Sequence, residues 1–180
     1  MIYAYNRRHA VEYAKKWAFD RNPLFYDFSE IGGNCTNFVS QCLLAGCCTM
    51  NFTPTFGWYY LSVEDRAPSW TGVEFLYNFL TSNDGDGPFG INEEINELQL
   101  GDVLQLADKN GDYYHTLQLS GFDERGILVS AQTNDAVDRP LSEYVYQSIR
   151  GVHILGFRKM SARCNCFDSL LDGTSFSTCI

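Results

Sequence analysis

Two periodicities divide the chain. In its first half, apolar residues recur at helical spacing. Ala10, Tyr13, Ala14, Trp17 and Ala18 fall at i, i+3, i+4, i+7 and i+8, which predicts an amphipathic helix with one buried face. Asn6 is placed to cap it and Asn22-Pro23 to stop it. After an aromatic loop and the pair Gly32-Gly33, the stripe Cys35, Phe38, Val39, Cys42, Leu43 predicts a second helix. It starts at Asn34 or Cys35 and is expected to end at Gly46. A third helix is expected after Ser69, with Val73, Leu76, Tyr77 and Leu80 on one face, and the Gly- and Asp-rich stretch 82–88 reads as a loop.

From Leu100 onward the period becomes two. Val103, Leu104 and Leu106 start a strand, and Asp108-Lys109-Asn110-Gly111 carries the Asn-Gly signal of a tight hairpin. Strands are expected over 113–121, 127–132 and 152–157. Helices followed by a run of antiparallel strands predict an α+β fold, with N-terminal helices packed on an antiparallel sheet. Residues 1–159 read as one domain. Residues 160–180 have weak periodicity and read as a tail, loosely ordered.

Composition narrows the function classes. The chain has 180 residues, 45% of them hydrophobic, with 13 basic against 22 acidic side chains and a net charge of -9. An acidic chain without a basic patch is repelled by phosphate backbones, so nucleic acid is not an expected partner. No apolar run reaches the roughly 18 residues of a membrane span. The first residues lack the apolar stretch of a secretory signal, so the expected location is cytoplasmic, or the cell wall or exterior if the protein is exported by another route or trimmed. Seven cysteines cannot all pair, and four of them (Cys35, Cys42, Cys47, Cys48) crowd one segment. That reads as free thiols in a reducing compartment. Cys164, Cys166 and Cys179 lack a fourth ligand for zinc, and no metal or cofactor is expected. Nothing in the sequence bears on oligomeric state.

The chemistry centres on Gly32-Gly33-Asn34-Cys35-Thr36-Asn37-Phe38. Two glycines permit a tight approach of backbone to ligand. A cysteine in the first turn of a helix meets unpaired amides and the positive end of the dipole, which favour an anionic sulfur and can receive an oxyanion. The competing reading is a buried helix stripe that happens to begin with Cys.

A nucleophile of this kind needs a base, and there are three histidines. His9 reads as solvated and His153 as a core residue. His115, near the start of a strand and on the face of Leu117 and Leu119, is the candidate; a helix packed on that face would bring Cys35 to it. Gln132 and Asn134, two apart after the next strand, are candidates to orient the imidazole. Asp135 is an acidic alternative, and Asp102 reads as a turn residue. Serine-hydrolase, zinc-protease and nucleotide-binding motifs are absent. Trp58, Tyr59, Tyr60 and Trp70 read as core before groove.

These residues carry a resemblance. Tyr5-Asn6-Arg7, Ala10-Val11, Tyr13-Ala14, Trp17, Asn22-Pro23 and the run from Gly32 to Leu43 resemble the putative amidase domain family. So do Trp70 with its following helix, Leu100-Gly101-Asp102-Val103, His115 at the head of a strand, and Ser130-Ala131-Gln132-Thr133-Asn134-Asp135. The resemblance covers about residues 5–157. It implies a papain-like fold of the CHAP and NlpC kind, Cys35 as nucleophile and His115 as base. The implied activity is cysteine-dependent cleavage of an amide in a peptide or peptidoglycan-like substrate; the alternatives are a cysteine peptidase or acyltransferase on another substrate, or a catalytically weak binding module of the same fold. CHAP domains place Glu and then Asn at the spacing of Gln132 and Asn134. The putative amidase family usually has His where this chain has Gln132. Asn134 is therefore preferred as the orienting residue, and Gln132 comes second.

Overall fold

The computed structural model describes residues 1–160 and 164–176. The order of elements is β1 (Ile2–Tyr3), α1 (Arg7–Trp17), α2 (Cys35–Cys47), α3 (Pro68–Thr71), α4 (Val73–Ser82), β2 (Gly87–Glu93), β3 (Val103–Ala107), β4 (Tyr113–Asp123), β5 (Gly126–Ala131), β6 (Ala136–Pro140), β7 (Ser148–Arg158) and α5 (Phe167–Leu171). The fold is α+β. A curled antiparallel sheet runs β1-β7-β3-β4-β5-β6, with β2 also paired to β7. No helix among the described residues is long and apolar enough to cross a membrane.

The helical stripes are where the periodicity placed them. Ala10, Tyr13, Ala14 and Trp17 are buried, and Asn6 caps α1 by accepting from the His9 amide at 3.1 Å. The helix stops at Trp17, ahead of Pro23, because the Trp17 and Asp20 carbonyls take hydrogen bonds from Gln132 Nε2 at 2.7 and 2.8 Å. Every residue of α2 is buried. Gly46 does not end it: the helix runs on to Cys47, with Cys48 as a left-handed cap at φ 48°. Glycine is needed at 46 because a Cβ there would collide with the Tyr5 ring. The expected third helix is a short α3 and a longer α4, which buries Leu76, Phe79 and Leu80.

Two cores lie on opposite faces of the sheet. Val103, Val152 and Ile154 join the α1, α2 and α4 side, which also takes Trp58 and Trp70. Leu104, Leu106, Leu117, Leu119, Val129 and Ala131 form the other, closed by Leu98 and Leu141. This corrects one expectation. His115 does share a face with Leu117, but α2 packs on the alternate face, through Thr116. The reason is a polar seam: Thr36 and Thr116 hydroxyls meet at 2.8 Å, and Gln105 Nε2 reaches Thr116 Oγ1 at 3.3 Å and the Val73 carbonyl at 2.8 Å. Alternation gives Gln105, Thr116, Gln118 and Ser130 a buried polar face under the helices.

Four further differences have physical causes. The loop expected at 82–88 ends in β2, whose Gly-Pro-Phe-Gly start has no period-two signal but pairs with β7 along its length. β6 is a short edge strand ending in Pro140. Asp102 is more than a turn residue. It is fully buried, pairs with Arg7 Nη1 at 2.6 Å and His153 Nδ1 at 2.7 Å, and accepts the Ile154 amide at 2.9 Å. Finally, Cys48 and Cys166 form a disulfide, while Cys35, Cys42 and Cys47 are free. The described part of the tail is packed: Phe167 and Leu170 are buried and His9 stacks on Phe167 at 3.7 Å.

Candidate active site

Asn34 builds the approach to Cys35. Its Oδ1 accepts from the Phe28 amide at 2.9 Å and from Asn37 Nδ2 at 2.8 Å. Its Nδ2 donates to Gln132 Oε1, and its amide donates to Thr133 Oγ1 at 2.7 Å. Trp70 Nε1 then anchors Asn37 Oδ1 at 2.8 Å. The chain enters this knot through Gly32 and Gly33 at φ 101° and 99°, a region that side chains rarely enter. Cys35 emerges as the first residue of α2, 8% exposed. The amides of Cys35, Thr36 and Asn37 have no acceptor within the helix and point out of its N-terminal end.

His115 comes from the first residues of β4. Pairing of β4 with β5 begins at Gln118, so the sheet is open on that side of His115. The Thr36–Thr116 bond holds the residues next to Cys35 and His115 together. Both side chains line one open cleft of about 480 Å³, walled by Gly32, Gly33, Tyr114, Thr133, Asn134, Arg139, Glu143, Tyr144 and Val145. His115 is 8% exposed, and burial lowers its pKa to about 4. The imidazole is therefore neutral at neutral pH, able to accept a proton and, once charged, quick to give it up. No hydrogen bond joins Cys35 and His115; the sulfur has Thr36 Oγ1 at 3.8 Å.

The structure separates the two candidates for orienting the ring. Gln132 is buried, and its amide is committed to Asn34, Trp17 and Asp20. It positions the turn before Cys35 and makes no bond to His115. Asn134 lines the cleft at φ 62°, beside Thr133 at φ 58°. Two successive non-glycine residues in the left-handed region are a strained arrangement of the kind found at working sites. No hydrogen bond links Asn134 to the imidazole. Asp135 is held by Arg21 at 3.0 Å. The neighbours of the His115 ring are Tyr114 and Tyr144, each at 6.1 Å between centroids.

The pattern of the sequence did not point to Arg139, Glu143 or Tyr144. The i, i+4 spacing of Arg139 and Glu143 is the one signal available, and they do pair at 3.1 Å. Trp58 and Trp70 are fully buried and belong to the core rather than the cleft.

A family model described as "Putative amidase domain" matches residues 4–155. The chain is 36% identical over 139 residues to the "Uncharacterized protein YhbB" of Bacillus subtilis (strain 168), a match that takes in 74% of this chain and 43% of that protein. The chain thus spans less than half the length of this relative. No solved structure matches it. The matched span contains the knot around Asn34, Cys35 and His115, and strands β2 to β6 with most of β7, and the chain belongs to the putative amidase domain family.

Proposed function

We propose that the protein is a cysteine amidohydrolase with a papain-like mechanism, related to the CHAP and NlpC enzymes. The observation that carries this reading is the shared cleft: a cysteine at the positive end of a buried helix and a neutral imidazole open onto the same space. His115 takes the thiol proton as Cys35 Sγ attacks the amide carbonyl. The oxyanion is met by the free amides of the first turn. The C–N bond breaks as His115 gives its proton to the departing amine. Water then adds to the thioester, His115 again accepting a proton, and the acid leaves with Cys35 restored.

Burial matters to both halves of this cycle. An imidazolium in a desolvated site is a strong acid, which suits protonation of a poor amine leaving group. The substrate class we favour is a peptide amide, in peptidoglycan or a polymer like it. We place the work in an oxidising compartment, on the strength of the Cys48–Cys166 disulfide. Digestion of purified peptidoglycan with the wild type and Cys35→Ala, followed by mass analysis, tests the reading. New amine and carboxylate ends made by the wild type alone are expected. Equal traces from both proteins would refute it.

A further inference from the structure

One corner of the cleft is not used by the reaction just described. It lies where β6 runs into the short turn before β7. Arg139, next to last in β6, is its cationic contribution to the cleft; among the described lining residues it is the one Lys or Arg. Its guanidinium lies over the Tyr144 ring, 4.6 Å from the centroid. Its Nε donates to Glu143 Oε2 at 3.1 Å and its Nη2 to the Glu143 carbonyl at 3.4 Å, and the Tyr144 hydroxyl oxygen is its other polar neighbour. The Tyr144 hydroxyl is buried beside that guanidinium, and its own proton meets no acceptor. A buried donor left empty in a cleft wall marks the position of a missing partner.

These donors have one chemistry in common. A guanidinium fixed by stacking presents a planar fork that matches a carboxylate. The Glu143 carboxylate on its Nε edge shows that the corner accepts that group. The tyrosine hydroxyl adds a neutral donor beside it. An anchor of this kind has to be local. At a net charge of -9 the protein repels anions at long range, and that field fades over about 8 Å at physiological salt.

We propose that Arg139 and Tyr144 form a carboxylate-binding corner, so that the preferred substrate carries a free carboxylate close to the amide that is cut. This rests on the amidohydrolase reading of the cleft and adds a substrate class to it. Arg139 is the specificity-determining residue. Tyr144 holds the guanidinium flat and supplies the second donor. Glu143 occupies the fork until substrate arrives.

The test is labelling of Cys35 rather than turnover, so the two ideas can fail separately. The probes are maleimides bearing a carboxylate on tethers of two to five carbons, each compared with its own carboxamide, with Cys35→Ala as the blank. Cys42 and Cys47 are buried and their pKa values are raised by burial, so they stay silent. At the best tether, the acid-to-carboxamide rate ratio should fall about 10-fold in Arg139→Gln and about 3-fold in Tyr144→Phe. Arg125→Gln, a charge change on the exposed β4–β5 turn, should move the ratio less than about 2-fold. Arg139→Lys, which keeps the charge but loses the fork, replaces the glutamine variant if that one does not fold. A ratio within about 2-fold of wild type at every tether in the Arg139 variant, or an equal drop in Arg125→Gln, overturns the proposal. Selective labelling without any amide cleavage would refute the amidohydrolase and leave the anchor standing.

Discussion

The two ends of α2 each present cysteine, and the surroundings give it opposite fates. At the N-terminal end, two glycines and a polar knot lift Cys35 to the wall of an open cleft. At the C-terminal end, Cys47 is sealed, with its pKa pushed up to about 12 by burial, and Cys48 is locked to Cys166. In the mechanism proposed above, one residue type serves as a reactive group and as a staple. What differs is access, the sign of the helix end and the presence of a histidine on the same cleft. The buried rod between them, 13 residues long, keeps the chemistry at one end mechanically tied to the anchor at the other.

Four experiments break or sharpen that contrast. The largest effect is at the open end. Cys35→Ala should lower amide cleavage by at least about 10³-fold while leaving the melting temperature nearly unchanged; Cys42→Ala, two turns along the same helix stripe and fully buried, should do the reverse, costing stability without abolishing turnover.

At the stapled end, removing both Cys48 and Cys166 opens a cross-link that spans 118 residues. Chemical denaturation should show a loss of about 4 kcal/mol, and turnover at 25 °C should stay within about 2-fold. A collapse of turnover in a protein still folded would mean that the two ends are not independent.

Next in size is the pH response of His115. Its pKa is about 4 in the folded protein, against 6.5 for the ordinary group. Between those values the unfolded chain binds a proton that the native protein does not. Stability from this site is whole above about pH 6.5 and drains away as pH falls toward 4, by about 3 kcal/mol. His115→Gln should remove that component from a stability–pH curve. The acid limb of kcat/KM for the free enzyme should likewise lie near pH 4 to 5 rather than above 6.

The smallest effect expected is at Gln132. Its replacement by Leu leaves Asn34 Nδ2 without its partner and takes one hydrogen bond each from the Trp17 and Asp20 carbonyls, which keep the Asp20 amide and Arg21 Nη1. A destabilisation of about 2 kcal/mol is expected, with a fall in turnover and no shift in its pH profile. A moved acid limb would show that Gln132 addresses the imidazole after all.

Much of this molecule could be read along the chain. The stripes of α1 and α2 and the β3–β4 hairpin rest on local periodicity, and the Cys35 motif at the start of α2, whose cleft His115 also lines, is compact in sequence. The features that escaped are those set by distant partners. Gln132 reads as an orienting group by spacing, yet its bonds go to residues 98 to 115 positions away. Cys48 reads as one of a cluster of thiols because its partner lies far along the chain. β2 begins with glycine and proline and exists because β7 offers it an edge. Arg139 and Tyr144 reach the cleft only through the geometry of β6 and the turn that follows it.

The Asp102 knot has a bearing on how the protein is assembled. A carboxylate buried without a counter-charge is costly, and its partners arrive from both extremes of the folded domain, Arg7 from the first helix and His153 from the last strand. During synthesis Arg7 is available early, whereas His153 and the Ile154 amide emerge after nearly everything else. A ribosome-bound fragment ending short of β7 would have to leave Asp102 wet and the sheet unclosed. Consolidation of the domain is therefore deferred until its final strand is delivered.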